Sequence, residues 1–243
     1  RDFLGGGRSS ITLPDVNKRT LGEHIAHCHR HGIRFNYLLN PASLDGSEQT
    51  RHGQRRIRSF LHFLSQSGVD AVTVASPLLL RIVKRECPHL KVRISVFATI
   101  DSARKAREWE DAGADALCIS GIAVNRDFRT LREIRQAVSC ELQLIVNSNC
   151  LPNCAYENTH MQLLTQASRA GHRNKGFAVD YCLVHCNGRR MRDLRNLLCS
   201  IWIRPEDLHV YEELGYDSFK IVERSSPTAA LLERVQAYAG RYY

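Results

Sequence analysis

The sequence lacks any apolar run approaching the ~18 residues that a membrane-spanning helix requires. It has no charged-then-apolar leader with a small-residue cleavage site, so nothing indicates secretion and we expect a cytoplasmic location. The G-x-S-x-G, H-E-x-x-H and Walker A signatures are also missing, which leaves a serine hydrolase, a zincin and a P-loop NTPase unsupported. Because the sequence starts at Arg1 without a methionine, we expect a longer natural N-terminus.

The composition is that of an ordinary globular protein, with 43% hydrophobic and 24% charged residues. A length of 243 residues suits a single β/α-barrel domain spanning residues 1–243. The formal net charge of +9 comes mainly from arginine. This charge suits an anionic small molecule, RNA or an acidic peptide, although a merely solvated surface is the more ordinary explanation of such charge.

A helix–glycine–strand unit recurs along the chain. Each copy is an amphipathic helix, then a glycine suited to the left-handed position that ends a helix, then a short β-branched apolar run. The glycines are Gly32, Gly68, Gly113 and Gly215. Strands apolar on nearly every residue are typical of parallel sheets buried on both faces, so the repeat predicts an α/β protein.

The strands are predicted at about residues 35–40, 71–76, 92–98, 116–120, 142–147 and 219–224. A seventh is predicted near 177–184, and the N-terminal segment ending in Phe3-Leu4 supplies a possible eighth. No G-x-G-x-x-G follows the first strand, so the pattern favours a TIM-like (β/α) barrel, incomplete or distorted, over an open doubly wound sheet. A cysteine-rich insertion at 148–207 interrupts the alternation late in the barrel.

In such a barrel, functional groups lie at the C-terminal ends of the strands. The polar residues predicted there are Asn40, Ser76, Thr99, Ser120, Asn147, Glu223 and Arg224. Asn125 and Arg126 follow Ser120 in the same loop, and the glycines at 5–7 with Arg8 could approach an anion. The alternative for each residue is an ordinary turn or cap role.

Nine cysteines are many for this length, but their odd number and dispersed positions argue against a disulfide framework. Cys28, Cys87, Cys118 and Cys140 each stand alone and suit small buried apolar positions. The other cysteines cluster within fifty residues. Two C-x₃-C pairs, separated by 27 residues, form a set of four possible thiolate ligands: Cys150, Cys154, Cys182 and Cys186.

Thiolates suit zinc or an iron–sulfur cluster, and the spacing leaves the choice between these metals open. Unliganded buried thiols and local disulfides are further alternatives. Cys199 is a fifth candidate that could replace Cys182 as a ligand. His160, six residues past Cys154 at the start of a predicted helix, is a candidate proton donor or acceptor.

The run Arg204-Pro205-Glu206-Asp207 predicts a helix start, because proline suits the first turn and acidic residues favour the positive end of the helix dipole. Arg204 is the member of this run expected to contact a ligand or the surroundings of a cluster.

The motifs NSNCLPNCAYENTH, DYCLVHC and IRPEDLHVYEELGYDSFKIVER resemble the peptidase U32 family, often labelled collagenase-like. GIRFNYLLN, VTVASP and NRDF agree with a bacterial and archaeal branch of it, and the resemblance runs over nearly the whole chain. One departure is Ala155, where the family often has proline. Cys199 stands where a small non-cysteine residue is expected, which favours Cys182 and Cys186 as ligands.

The resemblance implies barrel proteins that include oxygen-independent hydroxylases of ubiquinone precursors or RNA bases. These carry a four-cysteine [4Fe–4S] cluster, with prephenate implicated as the oxygen source. Carried over to this chain, the cluster ligands are Cys150, Cys154, Cys182 and Cys186. The residues expected around the reaction are His160, Asn125, Arg126 and Arg204, and the cations available for a carboxylate-rich co-substrate are Arg8, Arg126, Arg204 and Arg224.

Three functional hypotheses follow. The first is an iron–sulfur-dependent, oxygen-independent hydroxylase or related modifying enzyme, acting on a small molecule, RNA or a peptide. The second is a U32 peptidase that uses a bound metal or an unidentified nucleophile. The third is a non-enzymatic barrel that binds a peptide or RNA, or pairs with a partner subunit, around a structural metal. Fold alone does not choose among them.

Overall fold

The computed structural model of the chain describes residues 2–222 and 226–243. Its strands are β1 (Asn36–Leu39), β2 (Ala71–Val74), β3 (Lys91–Ile94), β4 (Ala116–Cys118), β5 (Glu141–Ile145) and β6 (Ser218–Lys220). Its α-helices are α1 (Lys18–Arg30), α2 (Arg51–Gln66), α3 (Pro77–Glu86), α4 (Ala103–Asp111), α5 (Gly121–Val124), α6 (Phe128–Ala137), α7 (Glu157–Ser168), α8 (Asn187–Arg192), α9 (Arg195–Leu198), α10 (Leu208–Glu213) and α11 (Thr228–Gly240). A π-helix, Cys182–Cys186, directly precedes α8.

The first of two compact units comprises the described residues up to Ala98, together with Trp109–Ala116 and Asn158–Ala178. Within it, β1, β2 and β3 are parallel neighbours in chain order, with Asn36 opposite Ala71 and Ala71 opposite Lys91. The apolar faces of α2 and α3 form much of its core. Their fully buried apolar residues include Ile57, Leu61, Leu64, Leu79, Leu80 and Val83.

The second unit comprises Thr99–Glu108, Leu117–Glu157 and the described residues of Val179–Tyr243. Here β4, β5 and β6 follow one another in chain order. β5 and β6 are parallel, with Gln143 opposite Ser218, and the Ile119 N–H donates to the Gln143 carbonyl at 3.0 Å. This unit contains all five of the clustered cysteines.

Local sequence explains where many of these elements begin and end. Asn17, Thr50 and Ser76 each accept a backbone N–H at the start of a helix, which satisfies a group that the helix itself leaves unpaired. The predicted left-handed glycines all have positive φ: Gly32 (70°), Gly68 (84°), Gly113 (101°) and Gly215 (87°).

The strand predicted near 177–184 is wrong. The Asp180 carboxylate accepts the N–H of Cys182 at 2.8 Å, and the N–H groups of Leu183 and Val184 donate to the Asp180 carbonyl. These bonds begin a helical turn instead. Leu183 and Val184 are each two-thirds exposed, so the run that suggested a buried strand lies in water.

The N-terminal strand is also wrong over the described residues. The Asp2 carboxylate accepts the N–H groups of Leu4 and Gly5 at 2.8 and 2.7 Å, which bends the chain into a turn. Gly5, at φ 81°, permits that turn. Glu223 and Arg224, predicted at the end of the last strand, lie outside the described residues.

The six parallel strands among the described residues, with helices between them, confirm the α/β class and are what an incomplete TIM-like barrel contains. The segment 148–207 falls between β5 and β6 and contains helices and irregular backbone, while its status as an insertion stays a prediction. The single-domain boundary likewise stays a prediction. Within residues 2–222 and 226–243, no helix combines the length and apolar character needed to cross a membrane.

Candidate metal centre

Cys150 and Cys154 lie in the irregular segment that follows β5. The Ile201 N–H donates to the Cys150 carbonyl at 3.1 Å, and the Glu157 N–H donates to the Cys154 carbonyl at 3.2 Å as α7 begins. Asn153, between the two cysteines, has a left-handed φ of 51° and donates its N–H to Ile122. Backbone hydrogen bonds thus hold this segment on both sides of the cysteine pair.

Cys182 and Cys186 are the first and last residues of the π-helix. A π-helix has a wider turn than an α-helix, and such turns are frequent at functional sites. Residues four apart in a helix lie near one another on the same side, so both thiols belong to one helical face. Cys186 is buried and Cys182 half-buried.

The four thiols lie close enough to influence one another's protonation. Burial first, and then the Asp180 carboxylate and the Cys150 thiol, raise the pKa of Cys182 to about 12. Burial also raises the pKa of Cys186, and the Cys154 and Cys150 thiols add to that effect. All four are free thiols rather than disulfides. The structure therefore places the two predicted pairs within electrostatic range of one another, and the raised pKa values keep Cys150, Cys182 and Cys186 protonated near neutral pH.

The pKa of Cys150 is raised mainly by burial, an effect that the Ser148 hydroxyl, 3.2 Å from its sulfur, partly opposes. Glu157 and Cys154 raise this pKa further. A soft cation that binds thiolates would displace these protons, as metal binding to cysteine requires.

Arg190 also belongs to this site, although it is not among the site residues predicted from the sequence. It stands four residues after Cys186, and its charge lowers the pKa values of Cys186 and Cys150 against the dominant effect of burial. Its Nη1 donates to the Asn187 amide oxygen at 2.9 Å. Its buried Nε has no hydrogen-bond partner within the described part of the chain. The four-residue spacing from Cys186 was the signal that could have found it.

Aromatic contacts join the two cysteine segments. The Tyr156 ring, two residues past Cys154, stacks on Tyr181, one residue before Cys182, with centroids 5.3 Å apart. The His185 ring lies 4.6 Å from Tyr156 in an edge-on arrangement. These rings, which carried no recognisable sequence signal, connect the two chain segments that bear the thiols.

Cys199 differs from the other four clustered cysteines in its exposure and in its neighbours. It is exposed at the C-terminal end of α9 and interacts electrostatically with Arg195. Cys182, by contrast, interacts with Cys150 and Cys186. Cys182 thus interacts with other members of the predicted set, and its role as a ligand in preference to Cys199 stays a prediction.

Asn125 has a clear structural role. Its side chain is only 1% exposed, and its Nδ2 donates to the carbonyls of Ile145 and Ile201 at 3.1 and 2.8 Å. The backbone carbonyl of Asn125 accepts a hydrogen bond from the Tyr211 hydroxyl at 2.7 Å. Asn125 therefore ties the end of β5 to the segment after Cys199.

The predicted arginines lie in different settings. Arg126 is exposed and donates to the Trp202 carbonyl at 3.3 Å. Arg204 makes two hydrogen bonds to the Asp207 carboxylate, at 2.7 and 2.6 Å, so part of its charge is already compensated. Pro205–Asp207 forms a 3-10 turn that leads into α10, which confirms the predicted helix start.

Two candidates belong to the first unit. His160 is half-buried on α7, and Arg8 is half-buried in the irregular segment before Ser10. Their roles toward the thiols stay predictions. Arg224 lies outside the described residues.

Three of the polar residues predicted at the strand ends hydrogen-bond to the backbone or to another side chain. Asn40 donates to the Ser95 hydroxyl at 2.9 Å. Asn147 exchanges two hydrogen bonds with the Val222 backbone, at 2.9 and 2.8 Å, and so joins the ends of β5 and β6. Ser76 caps α3. Structural roles therefore account for these three side chains.

A profile of peptidase family U32 matches residues 8–240. The chain belongs to peptidase family U32. It is 31% identical over 237 residues to an uncharacterized protease of Methanocaldococcus jannaschii, covering 98% of this chain and 69% of that protein. The resemblance predicted from the cysteine motifs is thereby confirmed.

A second relative is tRNA hydroxylation protein P1 of Bacillus subtilis, 24% identical over 239 residues. The match covers 91% of this chain, which spans about half, 53%, of that relative's length. Among solved structures, a U32 peptidase matches with a TM-score of 0.68 and 23% identity, over 93% of this chain and 83% of the other. That likeness supports the fold.

Proposed function

We propose that this U32 protein binds a [4Fe–4S] cluster through Cys150, Cys154, Cys182 and Cys186, and acts as an oxygen-independent hydroxylase or related modifying enzyme. The observation that carries the proposal is the set of four free, electrostatically coupled thiols in one unit. Zinc is the second choice of metal.

The donor set fits such a group. Four sulfur donors suit iron–sulfur clusters and zinc, and they disfavour magnesium or calcium, which prefer oxygen ligands. The buried Nε of Arg190 offers an additional N–H donor beside the thiols. Hydrogen bonds to cluster sulfurs are a recognised means of tuning such a centre, so Arg190 supports a cluster. One relative is named as a tRNA hydroxylation protein, and because hydroxylation is an oxidation, that name favours redox-active iron over redox-inert zinc.

A bound cluster would supply one-electron redox chemistry. This chain's own residues would hold it, shield it and compensate its charge: the four cysteines as ligands, Tyr156 and Tyr181 as a stacked pair, and Arg190 as the cation. Arg126, exposed in the same unit, is available to a carboxylate-rich co-substrate such as prephenate. Among small-molecule, RNA and peptide substrates, the net charge of +9 and the tRNA-directed relative favour RNA.

Metal and sulfide analysis of anaerobically purified protein tests the proposal. We expect brown protein with about four iron and four sulfide per chain. Serine substitution of Cys150, Cys154, Cys182 or Cys186 should abolish or strongly reduce the iron content. Cys199→Ser is the matched control and should retain the iron. Colourless protein without iron after anaerobic reconstitution would overturn the cluster, and stoichiometric zinc would support the second choice.

Peptidase activity is the second candidate, favoured by the family description and by the relative named as a protease. Peptide cleavage that is lost in Cys150→Ala and also lost with a chelator would support it. Cleavage that persists in all four ligand variants would indicate a contaminating protease.

A further inference from the structure

The region around α8 and α9 exposes an unusual amount of apolar surface. Neither helix has a buried residue, although all their residues lie in the described range. Met191 is 84% exposed and Leu194 71%. We call this region the α8–α9 surface; its apolar members are Leu183, Val184, Met191, Leu194 and Leu198. Extensive apolar exposure within a short stretch of chain is typical of interaction sites in soluble proteins.

A groove of about 610 Å³ lies within the same surface, lined by Val184, His185, Arg189, Arg192, Asp193 and Asn196. Its one carboxylate is already engaged, because Asp193 receives hydrogen bonds from Arg195 at 2.8–3.0 Å. Arg189 and Arg192 have no carboxylate partner within residues 2–222 and 226–243. The groove therefore presents two uncompensated cations beside apolar side chains.

The composition of the α8–α9 surface selects the kind of partner. The exposed apolar side chains of this surface are aliphatic leucine, valine and methionine, whereas bases stack on aromatic rings and on arginine guanidinium planes. Methionine and arginine are instead enriched in protein–protein interfaces. A second copy of this chain would bring the arginines against like charges, which costs free energy. These features favour a different protein with an acidic surface.

The α8–α9 surface is continuous with the candidate metal centre. Leu183 and Val184 lie between Cys182 and Cys186 on the π-helix, and α8 follows without a break. A protein seated here would contact the helix that bears two of the four thiols.

Resting on the proposed cluster, we propose that the α8–α9 surface docks an acidic one-electron carrier protein, of the flavodoxin or ferredoxin class, that reduces the cluster. One electron passes from the reduced carrier to the cluster, so the carrier is oxidised by one electron and the cluster reduced by one. No covalent bond forms or breaks. Electrostatic steering would hasten the encounter between the acidic carrier and Arg189 and Arg192.

The test uses the anaerobic, cluster-loaded full chain and follows cluster reduction by stopped-flow absorbance, with reduced flavodoxin and a plant-type ferredoxin as probes. We expect the second-order rate constant to fall with rising salt and to fall at least about tenfold in Arg189→Glu/Arg192→Glu. Met191→Gln/Leu194→Gln should slow transfer while leaving the charge of the surface unchanged. Reduction by dithionite should be unchanged in every variant.

The control with the same change in net charge is Arg107→Glu/Arg132→Glu, at two exposed cations of the same unit on α4 and α6. It should leave transfer at the wild-type rate. Equal rates in wild type and both surface variants would overturn the proposal, as would failure of both carriers to reduce cluster-loaded protein. Binding of the surface to anionic vesicles or RNA in place of the carriers would also overturn it. The iron content, measured before any carrier is added, tests the proposed cluster independently of the docking surface.

Discussion

The ring of Tyr156 stacks on the ring of Tyr181, with centroids 5.3 Å apart and planes 14° from parallel. The two tyrosines flank different cysteine pairs, so their stacking fixes one pair relative to the other. Their contact is a physical link between the segment after β5 and the π-helix.

We expect Tyr156→Ala to lower the free energy of unfolding by about 1 kcal/mol, as loss of an aromatic pair does. Release of iron to a chelator should become faster, because the two ligand pairs are no longer held together. Tyr156→Phe keeps the ring and should behave as wild type in urea unfolding and in chelator assays. An alanine variant with wild-type iron retention would show that the stack does not support the site.

Arg190→Gln should weaken the cluster centre. A cluster held by four thiolates is anionic, and removal of the neighbouring guanidinium leaves that charge less compensated. We expect a more negative midpoint potential by anaerobic redox titration and faster cluster loss in air. Arg190→Lys should restore part of the potential, and Arg192→Gln, on the same helix, serves as the control. An unchanged midpoint potential in Arg190→Gln would show that Arg190 does not influence the cluster.

Asn125→Ala should lower the free energy of unfolding, because Asn125 has a structural role. It removes two hydrogen bonds and leaves the buried carbonyls of Ile145 and Ile201 short of a donor. We expect a loss of about 3 kcal/mol in urea unfolding. Asn125→Asp lacks the donor as well and should lose at least as much. The neighbouring Arg126→Ala, whose exposed guanidinium makes one bond of 3.3 Å, should change stability by less than about 1 kcal/mol. Unchanged stability in Asn125→Ala would contradict a structural role.

Asp115 makes the stability of the first unit depend on pH. Burial alone would raise the pKa of its carboxyl, but hydrogen bonds from Lys84 and from the Val92 N–H outweigh burial and lower the pKa. A pKa that is lower in the folded than in the unfolded state stabilises the fold above the unfolded value, and this stabilisation is lost as pH falls through the folded pKa.

Asp115→Asn should therefore cost about 1 kcal/mol near neutral pH, and the difference from wild type should shrink as pH falls below about 4. Urea unfolding at a series of pH values measures both effects. The exposed carboxylate of Asp111, replaced in Asp111→Asn, is the control and should leave the curve unchanged. If the loss of unfolding free energy in Asp115→Asn did not change with pH, the lowered pKa of Asp115 would not be its cause.

Features that depend on near neighbours in the chain could be read from the sequence. The six main strands and the left-handed glycines followed from periodicity and from the helix-ending role of glycine, because both are local. The start of α10 followed from Pro205 for the same reason. The strand predicted near 177–184 failed because composition does not reveal exposure, and the Asp180 side chain began a helix there.

The sequence by itself determined the α/β class, the U32 family and the two pairs of candidate ligands. Only the tertiary structure decided that the four thiols and Arg190 lie within electrostatic range of one another. It also decided that Tyr156 stacks on Tyr181 and that Asn125 is a buried structural tie. Spacing within each pair is a property of a few consecutive residues. Convergence of the pairs depends on packing between segments far apart in the chain, which no local pattern encodes.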